Sequence, residues 1–170
     1  MGLLLIEQEF NGLQFGVMLF LIAAGLTLVF GIMDLVNLSH GSLVMVGAYL
    51  ATTLIEWTGS FILGILLALP STFLVGVAVE IVVLRTLYER DHLDQVLATF
   101  GLILFFNELI RIVWGPASLY SGLPESISGH VEILPGVPYP AFRLLIILVG
   151  LLVALLIYFI VARTKLGMLI

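Results

Sequence analysis

Long apolar runs separated by short polar segments dominate this chain. Treated as helices, they predict five spans at about 13–33, 39–55, 61–84, 93–114 and 142–162. Their lengths suit transmembrane helices, for which about 18 apolar residues is the usual threshold. Because the apolar runs are continuous rather than alternating, strands of a membrane barrel are disfavoured. The predicted fold is all-α, a polytopic membrane helix bundle with a short or broken second helix.

The second span carries the most informative pattern, because polar and small residues interrupt it. Its apolar part, Leu43 to Ile55, has 13 residues. As a helix it would be about 20 Å long, against a hydrocarbon core of about 30 Å. The preceding polar residues therefore lie inside the membrane or in a broken or re-entrant helix. Such backbone is tolerated where protein or a water-filled cavity surrounds it, which is typical of a transport pathway.

The candidate residues of a substrate pathway are Asn37, Ser39, His40 and Gly41 at this break, with Thr27 and Asn107 in the longer spans. A second interpretation stays open for each. Asn37 or Ser39 would cap the second helix, and His40 would lie in a turn at the level of the lipid headgroups. Thr27 would bond to its own helix backbone, and Asn107 would make a polar contact between helices.

Small residues recur at helical spacing in the first and third spans. Gly64, Ala68, Thr72 and Gly76 share one face of the third span, and Gly12 and Gly16 form a short GxxxG pair in the first. Such faces allow a neighbouring helix to approach closely, which favours a packed bundle over separate anchors. We also expect the glycine faces at Gly12, Gly16 or Gly64 to be less covered within this chain than a complete bundle would leave them. Glu108 and Arg111 predict an ion pair on the helix surface near the outer interface, where anchoring is the favoured role.

Composition excludes several classes of protein. The chain is 62% hydrophobic and 10% charged, with a mean hydropathy of +1.27, whereas a soluble domain is about a quarter charged. No basic patch supports binding of nucleic acid. The chain has no cysteine, and it contains no phosphate-binding loop, no HExxH and no GxSxG elbow. We therefore predict no catalytic residue, no metal site, no cofactor and no enzyme activity.

The distribution of positive charge predicts the orientation in the membrane. Arg85 and Arg90 lie between the third and fourth spans, and Arg163 and Lys165 follow the fifth. With five spans these residues share one side, whereas the 26 residues of the loop 115–140 include no Lys or Arg. The positive-inside rule then places the N-terminus outside and residue 170 in the cytoplasm.

The outer loop 115–140 holds five of the six prolines, so it cannot form one helix. Its segment from Val131 to Ile133 is compatible with a short strand. Two roles remain open for this loop: it covers the pathway or meets an external partner, or it is a plain tether.

Several short motifs occur along the chain. They are Asn11-Gly12-Leu13, the patch from Ala23 to Gly31, Asn37-Leu38-Ser39-His40-Gly41, Glu80 with Arg85, Thr99-Phe100-Gly101-Leu102, Asn107-Glu108 and the segment from Arg163 to Met168. Together they resemble the motifs of the branched-chain amino acid ABC permeases of the high-affinity leucine-uptake type. The resemblance covers almost the whole chain in order. Members of that family continue with further spans, so residues 1–170 are expected to be the N-terminal portion of a single transmembrane permease domain.

The resemblance implies a permease subunit of an ATP-driven importer of amino acids in the cytoplasmic (inner) membrane, with branched-chain amino acids as the implied substrates. The implied partners are a second homologous permease chain, two cytoplasmic ATPase subunits, an external solute-binding protein, the amino-acid substrate and the lipid bilayer. Two other classes remain as alternatives. An ion-coupled secondary transporter would need acidic residues deep in the spans, and a non-transporting scaffold subunit would leave the polar break unexplained.

Overall fold

A computed structural model of the chain describes residues 2–33, 35–117, 119, 122–124, 127–134 and 137–163. Five α-helices and one two-stranded hairpin make up the described part. In chain order they are α1 (Gly2–Met33), α2 (His40–Thr58), α3 (Phe61–Val82), α4 (His92–Trp114), β1 (His130–Leu134), β2 (Val137–Pro140) and α5 (Ala141–Arg163). A short 3₁₀ turn, Leu84–Leu87, follows α3. The predicted all-α class is confirmed.

Four of the described helices are long and apolar enough to cross a membrane: α1 over Leu4–Gly31, α3, α4 and α5. The second helix, α2, has 19 residues and is not among them. The structure therefore distinguishes the same helix that the hydropathy pattern marks as short or broken.

Helix α1 begins at Gly2, well before the predicted start of the first span at residue 13. The difference arises because Glu7, Gln8 and Glu9 do not suit a hydrocarbon core but are good helix formers. Helix α2 likewise continues past residue 55 to Thr58. It ends at Gly59, whose φ of 63° is the left-handed conformation that commonly terminates a helix.

The described residues fall into two compact units, which are considered separately. One comprises residues 29–122 and holds α2, α3 and α4. Its core is built from Leu35, Val46, Val79, Leu84, Phe106 and Ile110. Near the end of α4, the Trp114 indole N–H donates to the Thr53 hydroxyl at 2.8 Å and its ring lies 5.4 Å from that of Tyr49. These contacts hold α4 against α2.

The other unit comprises residues 1–28 and 123–170. Its hairpin is antiparallel, with Val131 opposite Tyr139 and an irregularity between Glu132 and Leu134. Tyr139 is fully buried, its hydroxyl donates to the Asn11 side-chain oxygen at 3.1 Å, and Arg143 donates to the same oxygen at 2.6 Å. These bonds fix the hairpin and the start of α5 to α1, and the expected short strand at residues 131–133 is confirmed.

Glycines allow close helix contacts at selected positions. A Cβ built on Gly64 would lie 2.6 Å from the Ile55 Cα and 2.7 Å from its backbone nitrogen, so α2 and α3 touch at this glycine. The expectation that Gly64 would be poorly covered is therefore wrong, because Ile55 of α2 covers it. Ala68 is also buried, and Thr72 of the same face packs against Gly47. At Gly12, Gly16 and Gly76 an added Cβ would meet nothing within 4 Å among the described residues.

The predicted orientation can be tested with single cysteines, because the natural chain has none. We expect Ser128→Cys to react with a membrane-impermeant thiol reagent from outside the cell, and Thr86→Cys to react only after the membrane is opened. Both side chains are exposed in the structure, so burial would not mask them. Ser126, an equally attractive position in the outer loop, lies outside the described residues. The opposite labelling pattern would overturn the orientation inferred from the positive residues.

Candidate functional site

The break between α1 and α2 is a compact turn held by side chains of its own. The Asn37 side-chain oxygen accepts hydrogen bonds from the Ser39 backbone N–H at 3.0 Å and from the Ser39 hydroxyl at 2.6 Å. An Asn that bonds the backbone two residues ahead forms an Asx turn, which stabilises a reversal without regular secondary structure. The two residues are only 4% and 0% exposed, so this turn is part of the protein interior.

Gln95, in the first turns of α4, connects the break to the polar turn that precedes α4. Its side-chain oxygen accepts from the Val36 N–H at 3.0 Å, and its side-chain nitrogen donates at 3.2 Å to the carbonyl oxygens of Leu87 and Arg90. The side chain is buried. One glutamine thus satisfies three backbone groups that belong to two irregular segments far apart in sequence.

Thr99 lies one turn further along α4 and faces the same segment. Its hydroxyl is 2.8 Å from the Gln95 carbonyl oxygen and 3.4 Å from that of Val36. No buried side-chain nitrogen or oxygen in the described part of the chain lacks a hydrogen-bond partner. We call Asn37, Ser39, Gln95 and Thr99 the polar cluster. Its side chains are buried, and their polar atoms are satisfied within the protein.

The interpretation that the Ser39 side chain caps α2 is wrong. Ser39 occupies the N-cap position of α2, but its hydroxyl makes no bond to a helix amide and donates to Asn37 instead. Only the Ser39 carbonyl takes part in the helix, accepting from the Leu43 N–H at 3.1 Å. The hydroxyl fixes the turn before the helix rather than the helix itself.

The other candidate pathway residues have different surroundings. The His40 side chain is partly exposed and makes no hydrogen bond to a described residue, and Gly41 is exposed. Thr27 donates to the Ala23 carbonyl at 2.9 Å, one turn back in its own helix. Asn107 is exposed and lines a cleft between α2 and α4. The structure thus brings Asn37, Ser39 and the start of α2 together. It locates Asn107 elsewhere, in the C-terminal half of α4.

The turn between α3 and α4 borders the polar cluster. Tyr88 donates to the Glu80 carboxylate at 3.0 Å. Partial burial and this hydrogen bond raise the pKa of the Tyr88 phenol above its ordinary value of 10.0. Among the described residues no group of three His, Asp or Glu side chains is arranged to hold a metal ion.

Gln95 and Thr99 were missed as site residues by the sequence analysis. The two residues are four positions apart on α4, so they share one helix face. A polar pair on one face of an otherwise apolar helix is typical of a contact between helices. The four-residue spacing of Gln95 and Thr99 was therefore the one sequence feature that could have indicated this contact. Gln95 escaped notice because it follows His92 and Asp94, where a polar residue reads as part of a solvated turn.

Comparison with known proteins identifies related chains. The family model described as branched-chain amino acid transport system, permease component, matches residues 9–170. The chain is 28% identical to the high-affinity branched-chain amino acid transport system permease protein BraD of Pseudomonas aeruginosa, over 95% of this chain and 56% of that protein. It is 27% identical to the corresponding permease protein LivH of Escherichia coli, over 75% of this chain and 45% of that protein.

The chain spans about half the length of the curated relatives it matches. A similar identity of 27% relates it to LivH of Salmonella typhimurium, over 74% of this chain and 43% of that protein. No solved structure matches this chain. The relatives are named as permease components of transport systems and not as enzymes.

Proposed function

This chain belongs to the family of permease components of branched-chain amino acid transport systems, and from that premise we propose that it is a permease subunit of an ATP-driven importer of branched-chain amino acids. The proposed partners are a second, homologous permease chain, two cytoplasmic ATPase subunits and an external solute-binding protein. The proposed location is the cytoplasmic membrane, with the N-terminus outside.

The match of the family model over residues 9–170 is the observation that carries the proposal. Two structural features support it. Four described helices have the length and composition of membrane spans. The break between α1 and α2 is irregular backbone whose polar groups are satisfied within the turn and by Gln95 and Thr99 of α4, as in transporters whose helices are discontinuous. A scaffold subunit would have no need for such a break.

The polar cluster suggests how movement would pass through this chain. In the predicted topology the turn from Leu84 to Asp91 faces the cytoplasm, where the ATPases would bind. Gln95 bonds this turn to the segment from Leu35 to Ser39. A displacement of the turn would therefore move the start of α2 with it. The permease performs no covalent chemistry, and the work of transport would be done by alternating access of packed helices.

The proposed function is tested by uptake in proteoliposomes that contain the complete transporter and internal ATP. We expect uptake of labelled leucine, isoleucine and valine to need both ATP and the binding protein. Uptake that persists without ATP and collapses with an ion gradient would favour the secondary-transporter alternative. No uptake of any amino acid with intact, assembled subunits would favour the scaffold alternative.

His40 gives the sharpest test of a pathway role at the break. Its side chain has no hydrogen-bond partner among the described residues, so His40→Ala should leave assembly unchanged while lowering leucine uptake by about tenfold, the loss of one polar contact of about 1.4 kcal/mol. His130→Ala, at an exposed histidine of the hairpin, is the matched control and should transport normally. Normal uptake by His40→Ala at full assembly would remove His40 from the pathway.

Asn37→Ala should behave differently from His40→Ala. It removes the acceptor of two buried hydrogen bonds from Ser39, so both assembly and uptake should fall. Membrane content measured by immunoblot, together with leucine uptake, separates the two variants. A fall in uptake with undiminished content would instead assign Asn37 a direct part in the pathway.

A further inference from the structure

The described part of the residue 29–122 unit contains a cleft of mixed character between α2 and α4. Its volume is about 550 Å³, and its walls include the apolar side chains of Met45, Tyr49 and Leu104 and the polar side chains of Asn107, Glu108 and Arg111. Ligand-binding clefts typically have about 300–1,000 Å³ and combine apolar walls with a few polar groups. By contrast, the groove beside Gly12 and Gly16 is lined only by apolar side chains and glycine.

Two opposite charges lie side by side in this cleft. The Arg111 guanidinium is 3.3 Å from the Glu108 carboxylate, and the side chains are 65% and 64% exposed. An exposed ion pair of this kind is weak, because water screens it and two long side chains must be ordered. It can therefore open for a ligand at little cost. Anchoring at the interface does not account for the neighbouring amide of Asn107, which makes no hydrogen bond to a described residue.

An α-amino acid presents the complementary charges. Its carboxylate and ammonium are attached to one carbon atom, so they can engage a guanidinium and a carboxylate that lie next to each other. Both contacts would be charge-assisted hydrogen bonds, which are shorter and stronger than neutral ones. The Asn107 amide offers one further donor and acceptor. Met45, Tyr49 and Leu104 would surround an aliphatic side chain.

We propose that the cleft formed by Met45, Tyr49, Leu104, Asn107, Glu108 and Arg111 is a binding site for the zwitterionic head and aliphatic side chain of the transported amino acid. The inference rests on the proposed function and assigns the substrate contacts within it. In the predicted topology the cleft lies on the outer part of α4, where a binding protein would release its cargo. The contact of Trp114 with Tyr49 and Thr53 keeps the two walls at a fixed distance.

The test measures binding of leucine and two analogues to the complete transporter in nanodiscs without the binding protein, by saturation-transfer NMR. The analogues are leucinamide, which lacks the carboxylate, and 4-methylpentanoate, which lacks the ammonium. The unaltered transporter should prefer leucine to both. Arg111→Gln should weaken leucine binding at least tenfold and abolish the preference over leucinamide. Glu108→Gln should abolish the preference over 4-methylpentanoate. Glu56→Gln, at an exposed glutamate outside the cleft, should change neither.

A second measurement does not depend on charge variants that could disturb folding. Asn107→Cys should react with a small thiol reagent, and leucine should slow that reaction at least fivefold, while Ser128→Cys should react at the same rate with and without leucine. Unchanged analogue preference in both charge variants, or no protection of residue 107 by saturating leucine, would overturn the assignment. Because ATP-driven uptake by the unaltered transporter is measured separately, that result would leave the proposed function standing.

Discussion

Replacement of Gln95 by Leu should destabilise the α1–α2 break and strongly reduce transport. The variant leaves the Val36 N–H and the carbonyl oxygens of Leu87 and Arg90 without their partner. A fully buried unsatisfied group costs about 1–3 kcal/mol, and these three groups are only partly buried, so each costs less than that. Allowing for partial relaxation, we expect a loss of about 2–4 kcal/mol of stability. Uptake of leucine should fall more than tenfold. Unfolding by titration with a denaturing detergent, followed by circular dichroism, measures the first effect.

Gln8→Leu is the matched control, because Gln8 is an exposed glutamine of α1 whose side chain makes no hydrogen bond to a described residue. It should leave both stability and uptake unchanged. Gln95→Glu adds a further comparison, since it keeps an acceptor for the Val36 N–H but loses the donor to the Leu87 and Arg90 carbonyls. It should be intermediate. Full stability in Gln95→Leu would show that these hydrogen bonds contribute nothing to the fold.

Gly64→Ala should force α2 and α3 apart. The new methyl group would lie 2.6 Å and 2.7 Å from the backbone Cα and nitrogen of Ile55, and backbone atoms cannot move aside as a flexible side chain can. Overpacking of this kind typically costs about 1–3 kcal/mol, and the upper end applies because the clash is with a helix backbone. The measurement is again the free energy of unfolding in mixed detergent.

Gly76→Ala, in the same helix, is the control. It makes the same change in helix propensity as Gly64→Ala but without the clash against Ile55. A Cβ at residue 76 meets nothing within 4 Å among the described residues, so the variant should be neutral or up to about 1 kcal/mol more stable, the usual gain of Ala over Gly in a helix. Equal stability of the two variants would mean that α2 and α3 are not in close contact at Gly64.

Hydrogen bonds and close packing together explain why α2, α3 and α4 form one unit. In a membrane the lipid tails are as apolar as the side chains, so helices associate through packing at small residues and through polar contacts rather than through burial of apolar area. Close packing at small residues joins α2 and α3, at Gly64 and Gly47. Polar contacts attach α4 to the rest of the unit, through Gln95, Thr99 and the hydrogen bond of Trp114 to Thr53.

The sequence by itself determined the number and order of the apolar helices and where the chain breaks, but not the start of α1 at Gly2 or the end of α2 at Thr58. Apolar runs of membrane length, ended by Gly59, the polar turn before His92 and the proline-rich loop, leave few other solutions. The break before His40 was also evident, because a polar and glycine-rich segment cannot continue an apolar helix without a reason. The motifs at Asn37 to Gly41 and at Arg163 to Met168 were enough to indicate the family.

Only the tertiary structure decided which residues meet at the break and at the helix contacts. Val36 and Gln95 are 59 residues apart, and hydropathy along one chain carries no information about such partners. It could not show that Asn37 and Ser39 bond to each other. Nor could it show that Gly64 touches Ile55, whereas a Cβ added at Gly76 would meet nothing within 4 Å among the described residues. The physical reason is that the local hydropathy pattern determines whether a segment enters the membrane. The relative placement of the helices determines which polar groups become hydrogen-bond partners.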